Sequence, residues 1–153
     1  MALNAYLKIK ANGTDLPGES SHKGFENWIE VQSFSWGAIT AREAGSGLST
    51  GRRVYKEFRW VNRHHKSSVL LWKALAQNQV IEAEVHCVKP SSSGDGSEEN
   101  FLKLAFKQAR MSAFDQAGED VDVYEEFGLV FQTVTMTHTD GGIEFEDNWS
   151  QQA

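Results

Sequence analysis

Apolar and polar positions alternate along most of the chain with the period of two that a half-buried β-strand requires. Residues 3–9 and 81–88 show this alternation most strictly, and residues 54–61 follow it less strictly. Clusters of Gly, Asn, Asp, Ser and Pro separate the alternating stretches, so we predict about seven strands. The side chains expected to face inward in one strand are Ile81, Ala83, Val85 and Cys87, and those expected to share one face of another strand are Val54, Phe58 and Trp60.

One segment changes to a helical period. In residues 66–79 the apolar positions Leu71 and Leu75, with Trp72, form a stripe at helical spacing, and Ser67 or Ser68 can cap the helix start. The pattern predicts a mainly β fold, an antiparallel β-barrel with a single α-helix, formed by one domain over residues 1–153.

Two long strands are predicted over residues 25–40 and 120–138, and each changes its apolar side midway. In the first, Val31 lies on one face whereas Trp36 lies on the opposite one. A bulge near Gln32 or burial on both faces would each explain this. We favour burial on both faces.

A glycine-rich segment, which we call the tongue, joins two of the strands over residues 42–52. Hairpin loops normally have two to five residues, and much longer ones are disordered or functional. The tongue contains three glycines and one large apolar side chain, Leu48. We therefore expect it to be mobile in an isolated subunit and to become ordered on assembly.

Composition excludes several classes of protein. The net charge is −6, with 15 basic and 21 acidic residues, which argues against general nucleic-acid binding. Cys87 is the single cysteine, so no intrachain disulfide forms and a reducing compartment is expected. No apolar run approaches the ~18 residues of a membrane span, and the first ten residues lack the apolar core of a signal peptide.

Catalytic chemistry finds little support. The five histidines lack the spacing of a metal site, no G-x-S-x-G motif occurs, and the glycines do not form a phosphate loop. Paired acids such as Glu125 and Glu126 are interpreted as solvated or interface charges. We expect no enzyme activity and no cofactor. A basic run is either a solvated strand face or an interface patch; it comprises Arg52, Arg53, Lys56, Arg59, Arg63 and Lys66.

Three stretches together resemble one family. In order and spacing, the chain is similar to the Hcp (haemolysin-coregulated protein) family of type VI secretion systems at "LPGES", "IEVQSFSWG" and "FRWVNRHHKSSVLLWKALA". The likeness extends from "AYLKIK" to the final "GGIEFEDNW".

The resemblance implies a β-barrel subunit that forms a hexameric ring with a wide channel. Rings stack into a tube inside a contractile sheath, a spike protein caps the tube, and effector proteins travel in the ring. It also implies a structural role without catalysis or cofactor, and no insertion into the membrane. The protein would leave the bacterial cytoplasm through its own machine, without a signal peptide, for the extracellular space or a target cell.

Two groups of residues are assigned to these roles. Ser33 and Ser35 are expected to face the channel, with Ser35 a candidate effector contact. Leu48 is the expected apolar anchor of ring stacking, and Arg52 and Arg53 would meet acidic groups of the next copy in residues 93–100 or 115–120. The stacking segment comprises Gly45, Ser46, Gly47, Leu48, Ser49, Thr50, Gly51, Arg52 and Arg53.

Two alternatives remain at this point. The first is a monomeric β-barrel that binds a small ligand in its interior, which the many large inward aromatic residues disfavour. The second is a sugar- or metal-using β-barrel enzyme, which the missing ligand motifs disfavour. A measured molecular mass separates both from a ring.

Overall fold

The computed structural model describes residues 4–42, 45–91 and 97–148, which contain ten strands and one helix. The elements are β1 (Asn4–Ala11), β2 (Thr14–Leu16), β3 (Ile29–Val31), β4 (Ser33–Arg42), β5 (Ser49–Arg63), α1 (Ser68–Ala76), β6 (Ile81–Pro90), β7 (Glu98–Glu119), β8 (Asp122–Val130), β9 (Thr133–His138) and β10 (Ile143–Asn148). Every strand pair is antiparallel.

Two sheets share the long strand β7. Its first half pairs with β6 and β9, and its second half, from Arg110 onward, pairs with β8. Between the two halves lies Gln108, with φ at 51°. A single residue in this left-handed region bends the strand and redirects its ladder. We call β1, β2, β3, β6, β9, β10 and the first half of β7 sheet A, and β4, β5, β8 and the second half of β7 sheet B.

The predicted mainly β class with one helix is confirmed, but the strand pairing does not close into a full barrel. The main path runs β2-β1-β6-β7-β8-β5-β4 and ends at β4. The two edges are joined by the chain itself, because β3 pairs with β1 and continues through Gln32 into β4, which pairs with β5. The Gln32 N–H donates to the Val61 carbonyl at 2.8 Å.

The structure has ten strands instead of about seven because both long predicted strands are broken and the short strand β2 was not predicted. Residues 25–28 precede β3, and the chain then leaves one ladder at Gln32 for another. The favoured burial on two faces is therefore wrong as well, since Val31 is buried and Trp36 is half-buried against the same core. The second strand is interrupted at residues 131–132, between β8 and β9.

Aromatic side chains fill the interior. Phe58, Trp60, Phe106 and Phe127 are fully buried. The ring centroids of Phe58 and Phe106 are 4.6 Å apart, and those of Trp60 and Phe127 are 5.2 Å apart. Truncation of such a side chain to alanine costs about 3–5 kcal/mol. Rings packed this closely argue against the interior ligand of the monomeric alternative.

A register shift in the pairing of β4 with β5 changes which side chains of β5 face the core. Ile81, Ala83, Val85 and Cys87 are buried as predicted. In β5 the pairing with β4 shifts between Ser35 and Gly37. Consequently Tyr55 packs against the core, whereas Val54, predicted to share the face of Phe58 and Trp60, is 57% exposed.

The helix α1 buries Ser68, Leu71 and Ala74 against the sheet, and Leu75 is half-buried. Trp72, predicted to be part of the buried stripe, is 56% exposed and was placed wrongly. Positions 68, 71 and 74 recur every three residues, so position 72 points away from their face.

The "LPGES" turn holds the helix start. A Cβ at Gly18 would lie 2.3 Å from the Trp28 carbonyl oxygen, so only glycine fits there. The Ser67 hydroxyl donates to the Pro17 carbonyl at 2.6 Å, and a Glu19 carboxylate oxygen accepts the Lys66 N–H at 2.6 Å.

Candidate assembly surfaces

The two predicted channel residues face away from the core. Ser33 and Ser35 are exposed on β4, opposite Val61 and Arg59 of β5. Phe34, between them, is half-buried against the core. The outward orientation agrees with the sequence prediction, whereas the channel itself stays a prediction.

Arg59 lies at the centre of an ionic network on the same face of sheet B. Its guanidinium donates to Glu126 at 3.0 Å, to Asp115 at 3.5 Å and to Glu57. The hydrogen bonds that Arg59 donates to Glu126 and Glu57 raise the pKa of Arg59. A hydrogen bond from Ser112 and the bonds from Arg59 lower the pKa of Glu57. This face is polar with its charges paired, which suits contact with water.

Glycine makes room for this network. A Cβ at Gly128 would lie 2.8 Å from the Glu57 carboxylate. Only a residue without a side chain lets Glu57 lie across β8 at this position.

The tongue is shorter than predicted. Strands β4 and β5 pair as far as Arg42 and Ser49, so the segment's foot is regular β-structure. In the turn, Gly45 and Gly47 have φ values of 92° and 72°, which favour glycine, and the Ser46 hydroxyl accepts the Leu48 N–H at 3.3 Å. Leu48 is 64% exposed. Ser49, Thr50, Gly51 and Arg52 belong to the β5 backbone, and their side chains and residue 44 lie outside the described residues.

Arg53 forms an ion pair within its own subunit. Its guanidinium makes two bonds of 2.5 Å to the Asp147 carboxylate of β10, to which the Tyr55 hydroxyl also donates. The Arg53 hydrogen bond holds the pKa of Asp147 below its usual value. The pair ties β5 to β10 within one subunit, and the expected inter-copy role of Arg53 stays a prediction.

The opposite end of sheet B carries the turn between β7 and β8. Val121 at this turn is 96% exposed, between Asp120 and Asp122. Arg63 lies 4.0 Å from Asp122, whereas Glu119 and Asp120 make no ion pair within the described part of the chain. A cleft of about 350 Å³ lies beside Arg63 and His64, with Glu19 and Glu30 on its wall.

A buried carboxylate was missed by the sequence reasoning. Glu125 is 1% exposed and accepts hydrogen bonds from Ser68 at 2.5 Å, Gln116 at 2.7 Å and Asn62 at 3.3 Å. The Nδ1 of His64 lies 2.9 Å away. Burial alone would raise the pKa of Glu125, but these hydrogen bonds outweigh it and lower the pKa.

The interpretation of Glu125 as a solvated charge is wrong. The alternation of the strand could have indicated this burial, because positions 125, 127 and 129 share one strand face and the other two are apolar. The carboxylate joins β8 to β5 and to the first turn of α1, so its role is structural.

Three further observations concern the rest of the described residues. The outer face of sheet A holds a cleft of about 520 Å³ between rows of lysine and glutamate side chains on neighbouring strands. The described residues hold no group of His, Cys, Asp and Glu suited to a metal ion. No helix among residues 4–42, 45–91 and 97–148 has the length and apolar character to cross a bilayer.

Residues 6–138 match the family described as "Type VI secretion system effector, Hcp". The chain belongs to the Hcp family. The resemblance seen in the sequence is thereby confirmed. Hcp proteins are the secreted tube proteins of type VI secretion systems, a structural family, and oligomeric assembly is their general property.

Relatives match the Hcp chain over nearly its whole length. The "Major exported protein" of Pseudomonas aeruginosa is 25% identical over 166 residues, which cover 97% of this chain and 96% of that protein. The solved Hcp1 protein of E. coli EAEC 042 has a TM-score of 0.87 at 25% identity, covering 97% of this chain and 99% of that one. The secreted protein Hcp3 of Pseudomonas aeruginosa shares the fold, with a TM-score of 0.80 at 19% identity, covering 97% and 99% of the two chains.

Proposed function

We propose that this Hcp chain forms a hexameric ring and that its rings stack into the inner tube of a type VI secretion system. Ser33 and Ser35 line the channel, where effector proteins bind, and the tongue joins one ring to the next. A contractile sheath surrounds the tube and a spike protein caps it. The assembled protein leaves the bacterial cytoplasm through this machine for the extracellular space or a target cell.

The observation that carries the proposal is an apolar face that one subunit leaves uncovered. In the β9–β10 hairpin, Val134 is buried, but the same face continues to Met136, Ile143 and Phe145, which are 46%, 70% and 71% exposed. Within the described residues β10 pairs with β9 alone, so its other edge is open. An open strand edge beside exposed apolar side chains calls for a protein partner.

The network around Arg59 supports the channel assignment. The wall of a water-filled channel needs a polar surface. The face that carries Ser35 is polar, and Arg59 on it is paired with Glu57 and Glu126 within the subunit. The packed aromatic interior argues against the monomeric ligand-binding alternative.

The test is the mass of the purified protein by light scattering, followed by electron microscopy. We expect six times the subunit mass of 17.1 kDa and ring-shaped particles. Phe145→Glu should reduce the mass, whereas Val69→Glu, at a 60% exposed helix position, should leave it unchanged. A monomeric mass of the unaltered protein at micromolar concentration would refute the proposal.

A further inference from the structure

Sheet B has two unlike ends. Strands β4 and β5 run from Ser33 and Arg63 at one end to Arg42 and Ser49 at the other, where the tongue begins. Strand β8 pairs with β5 only over Phe58–Arg63, so the earlier part of β5 extends past it. This extension carries the tongue roughly 30 Å beyond β8, at about 3.3 Å per residue.

The tongue end is apolar at its tip and basic at its foot. Leu48, at 64% exposure, is the large apolar side chain of the described turn. Arg42 and Arg52 flank the tongue in the sequence, with one acidic residue between them. The segment 42–52 contains two arginines and one glutamate, so its net charge is positive.

The other end has the complementary character. The β7–β8 turn presents Val121, which is 96% exposed, at its tip. Three carboxylates surround it, from Glu119, Asp120 and Asp122, and Arg63 lies near only the last of them. One end of sheet B thus carries Val121 with acidic neighbours in the sequence, and the other end carries Leu48 in a segment of net positive charge.

Translation along β4 and β5 brings these two ends together. Because the tongue and the β7–β8 turn lie at opposite ends of one sheet, moving a second copy along the strands places its tongue over the turn of the first. Such a contact joins two different surfaces, so it repeats without limit and generates a filament in which every copy points the same way.

We propose that the β7–β8 turn of one subunit is the receptor for the tongue of the subunit stacked upon it, with Leu48 packed on Val121. The acidic residues beside Val121 complement the net positive charge of the tongue. This inference rests on the proposed stacking of rings and names the surface that accepts the tongue. Charge complementarity selects a second copy of this chain as the occupant.

The test traps the contact as a disulfide. A chain carrying both Leu48→Cys and Val121→Cys is purified as rings, concentrated and oxidised. We expect a ladder of covalently linked chains on a denaturing gel and stacks under the electron microscope. The native Cys87 does not interfere, because it is 1% exposed and burial raises its pKa to about 11.

The matched control carries Leu48→Cys with Val69→Cys, since Val69 is 60% exposed on α1. We expect several-fold more ladder from the first pair than from the control. Equal ladders in the two proteins would overturn the inference. Loss of the ring mass in the unaltered protein would instead overturn the proposed function, so the two failures are distinguishable.

A charge reversal gives a second, independent readout. Asp120→Arg should reduce stacking while the ring mass stays the same, and Arg52→Glu in the same chain should restore it. A matched Glu82→Arg change, on the outer face of sheet A, should leave stacking unaffected. Stacking that ignores Asp120→Arg, or a double variant that stacks no better than the single one, would count against the assigned pairing.

Discussion

Ser35 lies directly opposite Arg59, on the face of sheet B that turns away from the aromatic core. A larger side chain there meets solvent rather than packed atoms. Ser35→Gln should therefore leave folding and ring mass unchanged but reduce the amount of effector that co-purifies with the ring. Thr135→Gln, on the outer face of sheet A, is the control and should retain effector. If Ser35→Gln abolished the ring, the channel assignment would be wrong.

Asp147 joins the last described strand to β5 through Arg53 and Tyr55. The Arg53 hydrogen bond lowers the pKa of Asp147, so its contribution to stability is present above the ordinary value of 3.8 and is lost as the pH falls below it. Asp147→Asn should lower the Tm by a few degrees at neutral pH. The difference from the unaltered protein should shrink as the pH falls below the ordinary pKa of the carboxyl.

Thermal scans at a series of pH values check this expectation. Asp140→Asn, at an exposed turn position, is the control and should change the Tm little. A gap between Asp147→Asn and the unaltered protein that stays constant down to acid pH would show that the carboxylate's charge is not what stabilises the fold.

At the scale of elements, the tongue can be removed without touching the core, since the described residues 45–48 are all exposed. Replacing Ala44–Gly51 with a two-residue turn should leave ring mass intact and abolish long tubes and secretion. Ion pairs at a wet surface contribute only about 0–1 kcal/mol each, so loss of Leu48 should account for most of the effect. Normal tubes from the shortened protein would make the tongue a tolerated surface loop.

The start of α1 depends on a carboxylate from a distant strand. Glu125→Gln replaces an acceptor with an amide that presents a donor to Ser68, Gln116 or Asn62. Because hydrogen bonds to a charged group are worth about 1.5–3 kcal/mol each, we expect a loss of roughly 2–3 kcal/mol. Urea denaturation measures it, and the exposed Glu82→Gln should stay within about 0.5 kcal/mol of the unaltered protein.

The sequence predicted the existence of strands better than it predicted where each strand begins and ends. Alternation in β6 depends only on which face is buried, so Ile81 and Val85 were placed correctly. The break at Gln32 depends on which partner each half of the strand pairs with, β1 or β5, and no local pattern carries that information. The Arg53–Asp147 pair joins residues 94 positions apart, which alternation cannot detect.

For the assembly surfaces, orientation was predictable and partnership was not. The outward direction of Ser33 and Ser35 followed from their phase relative to Phe34, whereas identifying the acidic partners of Arg59 required two other strands, β7 and β8, to be placed. Exposed Trp72 shows the limit of a helical stripe, since two neighbouring positions both fit it until the packing partner is known.

At the scale of the whole molecule, acid should lower the stability through several titratable groups at once. His65 is buried and its pKa is lowered chiefly by that burial, with Glu125 and Glu19 opposing and His64 adding to the effect. The unfolded chain therefore binds this proton more readily, and stability falls as the pH drops below 6.5. The lowered pKa values of Glu125 and Asp147 act in the same direction, below 4.5 and 3.8.

The Tm of the assembled protein should accordingly decline from about pH 7.5 to about pH 5.5, where His65 is the main contributor among these groups. His65→Gln should flatten this decline, and the exposed His138→Gln should not. An unchanged slope in His65→Gln would assign the acid sensitivity to another histidine.

The course of β4 and β5 from one end of sheet B to the other has a mechanical consequence. In the proposed stacking of rings along these strands, a thrust that drives the tube forward would act parallel to the strand axes. Antiparallel ladder bonds lie perpendicular to the strands, so such a load shears many of them together instead of opening them one by one. Pulling a subunit along this direction in a force spectrometer should require more force than pulling across it. The exposed turn Gly45–Leu48 would then be the first part to deform, so in the proposed tube each contact between rings would be more compliant than the subunits it joins.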